Sequence, residues 1–247
     1  MNATHFHRRH APHPTHALRA ARAGRAFALP ALLGLALLAA GCGALPDKPQ
    51  RTTLYDFGPG PLALTAASAA QPGPAGAGAQ AAIALPEIEA SPRLEGTQIL
   101  YRLGYADANE LRPYGQSRWS LSPAQLLRQR LRDTLAERRT VLGPEESATL
   151  ARGDGRVPDT LRISLDEFSH YFESPAGSFG LVRLRATLVR ASVGGDRVLG
   201  QKLVTVRRPA PSADAPGGVK ALAAASDAAI AELVQWVDQL QQQPQAR

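Results

Sequence analysis

Residues able to do chemistry are few in this 247-residue chain, and they are unevenly placed. Its one cysteine is Cys42, and a thiol is the side chain best suited to nucleophilic or acyl-accepting chemistry. Of the histidines, His5, His7, His10, His13 and His16 crowd the beginning, and only His170 lies beyond them. Asp166, Glu167 and Glu173 stand near His170, which would supply two members of a Ser-His-Asp arrangement. On a strand, Asp166 and His170 share a face only if no bulge intervenes, and no G-x-S-x-G turn presents a nucleophile. His170 therefore reads as a surface or partly packed strand histidine. The carboxylates of Glu145-Glu146 and Asp166-Glu167 are consecutive, so they diverge and no apolar pocket is implied around them. They read as a solvated loop and a bulge. Gly153-Asp154-Gly155 lacks the G-K-[ST] ending of a phosphate loop and reads as a turn. The early histidines could pass for a metal-binding tract, but they lie in a segment expected to be discarded on export, and a chain left with His170 and a lipidated Cys42 cannot build a Cys/His zinc site. No catalytic constellation, metal or cofactor is expected.

Cys42 is different because of what precedes it. The run Phe27 to Gly41 is apolar and ends in small residues, and Arg8, Arg9, Arg19, Arg22 and Arg25 lie upstream with no acidic residue among them. A basic region, a short apolar core and a small-residue cleavage site make an export signal. A cysteine at the cleavage point resembles the bacterial lipobox, in which the thiol is lipidated and becomes the new N-terminus. Ala39 occupies the position where that pattern prefers Leu, with Leu38 one place earlier, a tolerated variant. Cleavage is expected between Gly41 and Cys42. A membrane span needs roughly 20 apolar residues, and this run is interrupted by Pro30 and Gly34. Arg8-Arg9 is followed by His10-Ala11-Pro12 and lies far from the apolar core, unlike a twin-arginine signal. A plain secretory signal with an incidental cysteine is the competing reading.

Removing residues 1–41 changes the charge. Five arginines leave with the leader, so 23 basic and 21 acidic residues remain, a net charge of +2. The sequence pI near 10.2 is thus largely a property of the leader, and no basic patch interleaved with aromatics follows it. Nucleic acid is not an expected partner. Acylation of Cys42 leaves no thiol for a disulfide, so the fold rests on its core. About 200 residues suffice for one domain.

The organisation expected is a leader at 1–41, a lipidated tether at 42–50, a single domain at 51–242 and a disordered tail at 243–247. Thr52 to Phe57 has strand composition. Gly58 to Gln80 is almost wholly Gly, Pro, Ala, Ser and Gln, a low-complexity insertion without enough apolar surface to fold. Ala82 to Glu89 is predicted as an edge strand because of Pro86. Gln98 to Arg102 and Glu110 to Tyr114 are further strands around a turn at 104–109. Ser122 caps a helix with Pro123 at its first position, and Leu127, Leu131 and Leu135 share a face with Ala124. The basic end near Arg138-Arg139 suits the helix dipole, and Gly143-Pro144 ends the region. Leu161 to Phe172 alternates with a phase slip at Asp166-Glu167, which implies a bulge. Val182 to Leu188 is half-buried, and Gly194-Gly195 joins it as a hairpin to the run Arg197 to Arg208. A helix from Val219 to about Leu240 buries Leu222, Ile230, Leu233, Val237 and Leu240. The fold class expected is α+β, a two-layer sandwich of a mostly antiparallel sheet and two main helices.

Three surface features are candidates for contact. Arg183 and Arg185 share one strand face, and Arg128, Arg130, Arg132, Arg138 and Arg139 crowd the first helix. They read either as a docking surface for an acidic partner or lipid headgroups or, more plainly, as solvated faces. Trp119, just before the helix cap, either staples the loop onto the helix or marks a contact site.

These residues resemble a family. Ile99-Leu100-Tyr101-Arg102, then Asn109-Glu110-Leu111 and Tyr114, then Arg118-Trp119 and the Leu-periodic helix, together with Thr53-Leu54-Tyr55-Asp56-Phe57 shortly after the cysteine, are similar to the ABC-type transport auxiliary lipoproteins. The insertion at 58–80 is longer than that pattern needs. The resemblance implies an outer-membrane lipoprotein, facing the periplasm, that works without catalysis beside an ABC transporter and a mammalian-cell-entry (MCE) domain protein. Such systems move lipids across the envelope and support membrane integrity. Gly43 stands where Asp would retain such a lipoprotein at the inner membrane, so outer-membrane sorting is implied. The resemblance leaves room for homo-oligomerisation. Two other readings stay open: an activator or scaffold of cell-wall synthesis enzymes, and a periplasmic hydrolase, which the shortage of histidine argues against.

Overall fold

Along its described residues the chain runs through β1 (Thr53–Tyr55), β2 (Gln80–Ala84), β3 (Glu89–Ala90), a 3-10 turn (Pro92–Leu94), β4 (Gln98–Leu103), β5 (Asp107–Trp119), α1 (Pro123–Ala136), β6 (Arg139–Leu142), β7 (Asp159–Phe172), β8 (Ser178–Arg190), β9 (Arg197–Pro209) and α2 (Ala215–Gln242). The computed structural model describes residues 51–59, 80–143, 145–146, 157–192 and 194–242. Cys42, the leader, the tether, most of the low-complexity insertion, Gly153 to Gly155 and the tail lie outside the described residues.

β7 organises the sheet. One of its edges pairs antiparallel with β8 over nearly its whole length, and β8 pairs antiparallel with β9. Its other edge is tiled by three short segments, β2 at its start, β3 in its middle and β4 at its end, all parallel to it. Beyond them, β6 runs parallel to β2, β5 antiparallel to β4, and β1 parallel to β5. The class is α+β, but the sheet is mixed and not mostly antiparallel. β2, β3 and β4 reach β7 across intervening elements instead of by tight hairpins, and such connections bring strands in parallel. β2 is also not an edge strand: it lies between β7 and β6, and Pro86 falls two residues past its end.

Local chemistry explains the elements that the sequence announces. Ser122 Oγ accepts a hydrogen bond from the Gln125 N–H while the Gln125 side chain accepts one from the Ser122 N–H, a complete capping box ahead of Pro123. Leu127, Leu131 and Leu135 are each buried to about 1% exposure. The ladder of β7 and β8 slips between Leu165 and Glu167, which is the bulge that the phase change implies. Gly195, at the β8–β9 connection, has φ +114°, a conformation glycine adopts without strain.

Two elements differ from expectation at one junction. α1 stops at Ala136 with no basic residue in its last turn, so Arg138-Arg139 does not complement its dipole. Arg139 instead opens β6, where its guanidinium is buried, donates to Gln241 and Gln80, and pairs with Asp238 of α2. Burial pushes its pKa down while Asp238 opposes that shift.

α2 lies along β7, β8 and β9, and α1 packs on α2 and β6. One core joins them, with Leu222, Ala225, Ala229, Leu233 and Val237 of α2 fully buried against Leu161, Val182, Leu184, Ala186 and Leu188. Contact is close because Gly180 lacks a side chain: a Cβ there would lie 2.5 Å from the Ala221 backbone.

Candidate docking face

Period two gives β7, β8 and β9 a second face, turned away from the helices. The ladder sets its rows: Glu167 beside Arg183 beside Thr205, Ser164 beside Arg185 beside Leu203, and Tyr171 beside Phe179 beside Pro209. Arg183 and Arg185 are exposed and share this face.

The cations on it are not equivalent. Glu167 is buried and receives Arg102, whose Nε and Nη2 donate at 3.3 and 3.2 Å, and lies 3.7 Å from Arg93. Arg185 donates to Asp166 at 3.1 Å. Arg183 makes no ion pair among the described residues, although it stands across the ladder from Glu167. Arg207 lies 5.0 Å over the Phe179 ring, which stacks on Tyr171 at 5.1 Å. Tyr171 in turn occupies space that Gly104 leaves open, since a Cβ at Gly104 would fall 2.2 Å from the tyrosine hydroxyl. A shallow cavity of about 450 Å³ runs among Tyr171, Phe179, Leu181, Arg183 and Arg207, and one of about 440 Å³ lies on the other side of Arg183, beside Arg93 and Asp166. Unpaired guanidiniums flanking an aromatic and aliphatic floor can receive carboxylates or phosphates through charge-assisted hydrogen bonds.

Trp119 lies elsewhere. It is 1% exposed and meets Phe57 and Phe168 edge-on at 5.7 Å each; its backbone N–H donates to the Thr97 carbonyl at 2.7 Å, and its indole nitrogen has no partner among the described residues. Phe168 points to the helix side, so Trp119 is not brought together with Arg183 and Arg185. Among the α1 arginines, Arg128 donates to the carbonyls of Pro86 and Leu85, and Arg130 to those of Phe57 and Gly58. They clamp the chain instead of facing a partner.

His170 is fully buried, not at the surface or partly packed. Its Nδ1 shares a 2.8 Å hydrogen bond with the Tyr114 hydroxyl, Nε2 has no partner among the described residues, and Gly218 of α2 packs directly on the ring. Burial pushes its pKa down to about 4, with Asp214 opposing that shift. The Tyr114 hydroxyl is pushed up by the same burial. Asp166 falls in the bulge and pairs with Arg185, so no acid–histidine dyad forms with it. Among the described residues, no group of three or more His, Cys, Asp or Glu side chains is disposed to hold a metal, and no helix is long and apolar enough to cross a membrane.

Arg207, Phe179 and Tyr171 are members of the face that residue type alone does not reveal. The signal was present: Tyr171 is out of phase with the buried Phe168, His170 and Phe172, and Arg207 is out of phase with Val204 and Val206. Only the register brings them into one row.

The domain is thus α+β, with one sheet face sealed by the helices and the other open and charged. The chain belongs to the family of ABC-type transport auxiliary lipoprotein components, whose model matches residues 62–242. No curated protein matches the chain. Among solved structures, protein XCC0632 of Xanthomonas campestris is similar at 20% identity and TM-score 0.57, over 70% of this chain and 91% of that one. A second, uncharacterised protein is similar at 13% identity and TM-score 0.50, over 76% and 99%. At these identities the likeness is one of fold.

Proposed function

We propose that this protein is an outer-membrane lipoprotein, anchored through Cys42 and facing the periplasm, that serves as a non-catalytic accessory of an ABC transporter and its MCE-domain protein in moving lipids across the envelope. The observation that carries the reading is the family match across 62–242, which spans every packed element from β2 to α2. The domain is a leader-cleaved body at 51–242 on a tether at 42–50. Its open face supports a docking role, with Arg183 and Arg185 as contact residues and Trp119 acting by holding β1 and β5 in place. Gly43 after the cysteine supports sorting to the outer membrane.

Affinity purification of the tagged full chain from detergent-solubilised envelopes tests this. The MCE protein, permease and ATPase of one system are expected in the eluate. Recovery of cell-wall synthases without any MCE protein would overturn the reading and favour a cell-wall scaffold. Cys42→Ala is expected to leave the outer-membrane fraction of a density gradient; its persistence there would refute the anchor.

A further inference from the structure

β9 has a strand on one side only. Over its thirteen residues it pairs with β8, and among the described residues nothing pairs with its outer edge. A long edge with free N–H and C=O groups invites another strand, and proteins usually blunt such edges with mid-strand charge, proline or a bulge. β9 carries an irregularity near its start, where Leu199 falls between the paired Val198 and Gly200, but its middle is not blunted. Its free cations sit at the ends, Arg197 at one and Arg207-Arg208 at the other, with Pro209 last. Lys202, the cation within, is tied to Glu232 of α2 at 3.0 Å. Leu203 to Val206 is uncharged and rich in β-branched residues. Val198 and Leu203 expose 60% and 59% of their surface on the open side, where a neighbouring strand would cover them.

The charge selects the occupant. β9 contains no acidic residue, so a second copy paired on the same edge would set Arg207-Arg208 of one chain near Arg197 of the other, like charges on adjoining strands. An acidic segment meets cations at both ends and continues to Arg183, whose guanidinium is unpaired one strand inward. We propose that β9 is a strand-addition site, taking an extended segment of another polypeptide with acidic residues at its ends and β-branched ones between. This stands on the sheet alone and does not depend on which transporter the protein serves.

The test uses the full chain in detergent with a synthetic probe, acetyl-Glu-Glu-Val-Thr-Val-Thr-Glu-Glu-amide. Amide exchange followed by mass spectrometry is expected to slow at least about threefold across β9, and in no other strand, at millimolar peptide. Arg207→Glu with Arg208→Glu is expected to weaken that protection about tenfold, the equivalent of roughly 1.4 kcal/mol, and to transfer it to the lysine counterpart of the peptide. Four results would overturn the proposal: no protection; binding that leaves β9 exchange unchanged; equal protection by the lysine peptide; or concentration-dependent protection without peptide, with dimers in sedimentation, which would mean that a second copy is the occupant. Failure of the envelope co-purification alone would leave strand addition standing, and the reverse also holds.

Discussion

The two faces of β7, β8 and β9 are made by the same strands and do opposite things. On the helix side stand Leu161, Ile163 and Leu165, then Val182, Leu184, Ala186 and Leu188, then Val204 and Val206, every one buried. On the other side stand Arg162, Arg183, Arg185, Thr205 and Arg207, all exposed or half-buried. Burying apolar area contributes about 25 cal/mol per Å², whereas exposed ion pairs contribute about 1 kcal/mol or less each. Stability is therefore drawn mostly from one face, and on the other the exposed positions outside the buried Glu167 and Phe179 can vary their chemistry at little cost to the fold.

The largest loss of stability is expected inside the core. Phe168 is 1% exposed, with Phe57 stacked on it and Trp119 against its edge. Phe168→Ala is expected to cost about 4 kcal/mol, since the aromatic cluster cannot close over the void. Urea unfolding followed by tryptophan fluorescence measures it; a loss below about 1 kcal/mol would mean that the cluster is not packed as described.

Protonation probes the same side. His170 is neutral when folded and titrates near 4, whereas an unfolded histidine titrates near 6.5. As pH falls from about 6.5 to about 4, the unfolded chain takes up a proton that the folded one refuses, so stability is lost across that window and not below it. The groups facing the imidazole are the Tyr114 hydroxyl, Phe172 and, more distantly, Asp214 at the start of α2. Asp214 is held below the usual carboxylate range by the Ser212 hydroxyl and the Gly217 N–H, so it stays charged through the window. The loss is expected to reach about 3 kcal/mol for this one group. His170→Gln keeps a partner for Tyr114 and removes the dependence; identical pH slopes in variant and parent would show that His170 is charged or hydrated.

Much of this architecture is legible in the sequence where the cause is local. Ser122-Pro123 and the leucine spacing give α1, the phase slip gives the bulge, and Gly194-Gly195 gives the hairpin. What is not legible depends on residues far along the chain. β6 is four residues long and is a strand only because β2 lies beside it. The parallel pairings of β7 are fixed by crossovers, which leave no mark on the strands. Arg128 and Arg130 look like a solvated cationic stripe, yet they reach carbonyls 42 and 73 residues away. His170 looks half-exposed until Gly218 closes over it. On the docking face, alternation alone yields Arg183 and Arg185, whereas Arg207 and Phe179 join them only once β8 and β9 are in register.

Glycines give a smaller and cleaner contrast. Gly180→Ala drives a methyl into the Ala221 backbone at 2.5 Å, and Gly115→Ala on β5 meets nothing within 4 Å. Backbone cannot swing aside as a side chain does, so about 2 kcal/mol is expected for the first and a change within about 0.5 kcal/mol for the second. Thermal unfolding of both variants is the check, and equal effects would contradict the close seat of α2 on β8.

The smallest expected change in stability belongs to Arg183, and it is the most informative. Its neighbours Arg93, Arg102 and Arg185 each satisfy a carboxylate or a carbonyl, so removing any of them strips a partner from Glu167 or Asp166. Arg183 satisfies none. Arg183→Ala is expected to shift stability by less than about 0.5 kcal/mol, whereas Arg102→Ala, which leaves the buried Glu167 with only the more distant Arg93, costs about 2 kcal/mol. An arginine that does nothing for the fold and sits between two cavities is free to act outward. Arg183→Gln, which sets no like charge opposite Glu167, should therefore leave the melting temperature in place while lowering recovery of the partner in the envelope purification. If the melting temperature falls instead, or recovery is unchanged, the open face is ordinary solvated surface and the contrast with the helical face carries no function.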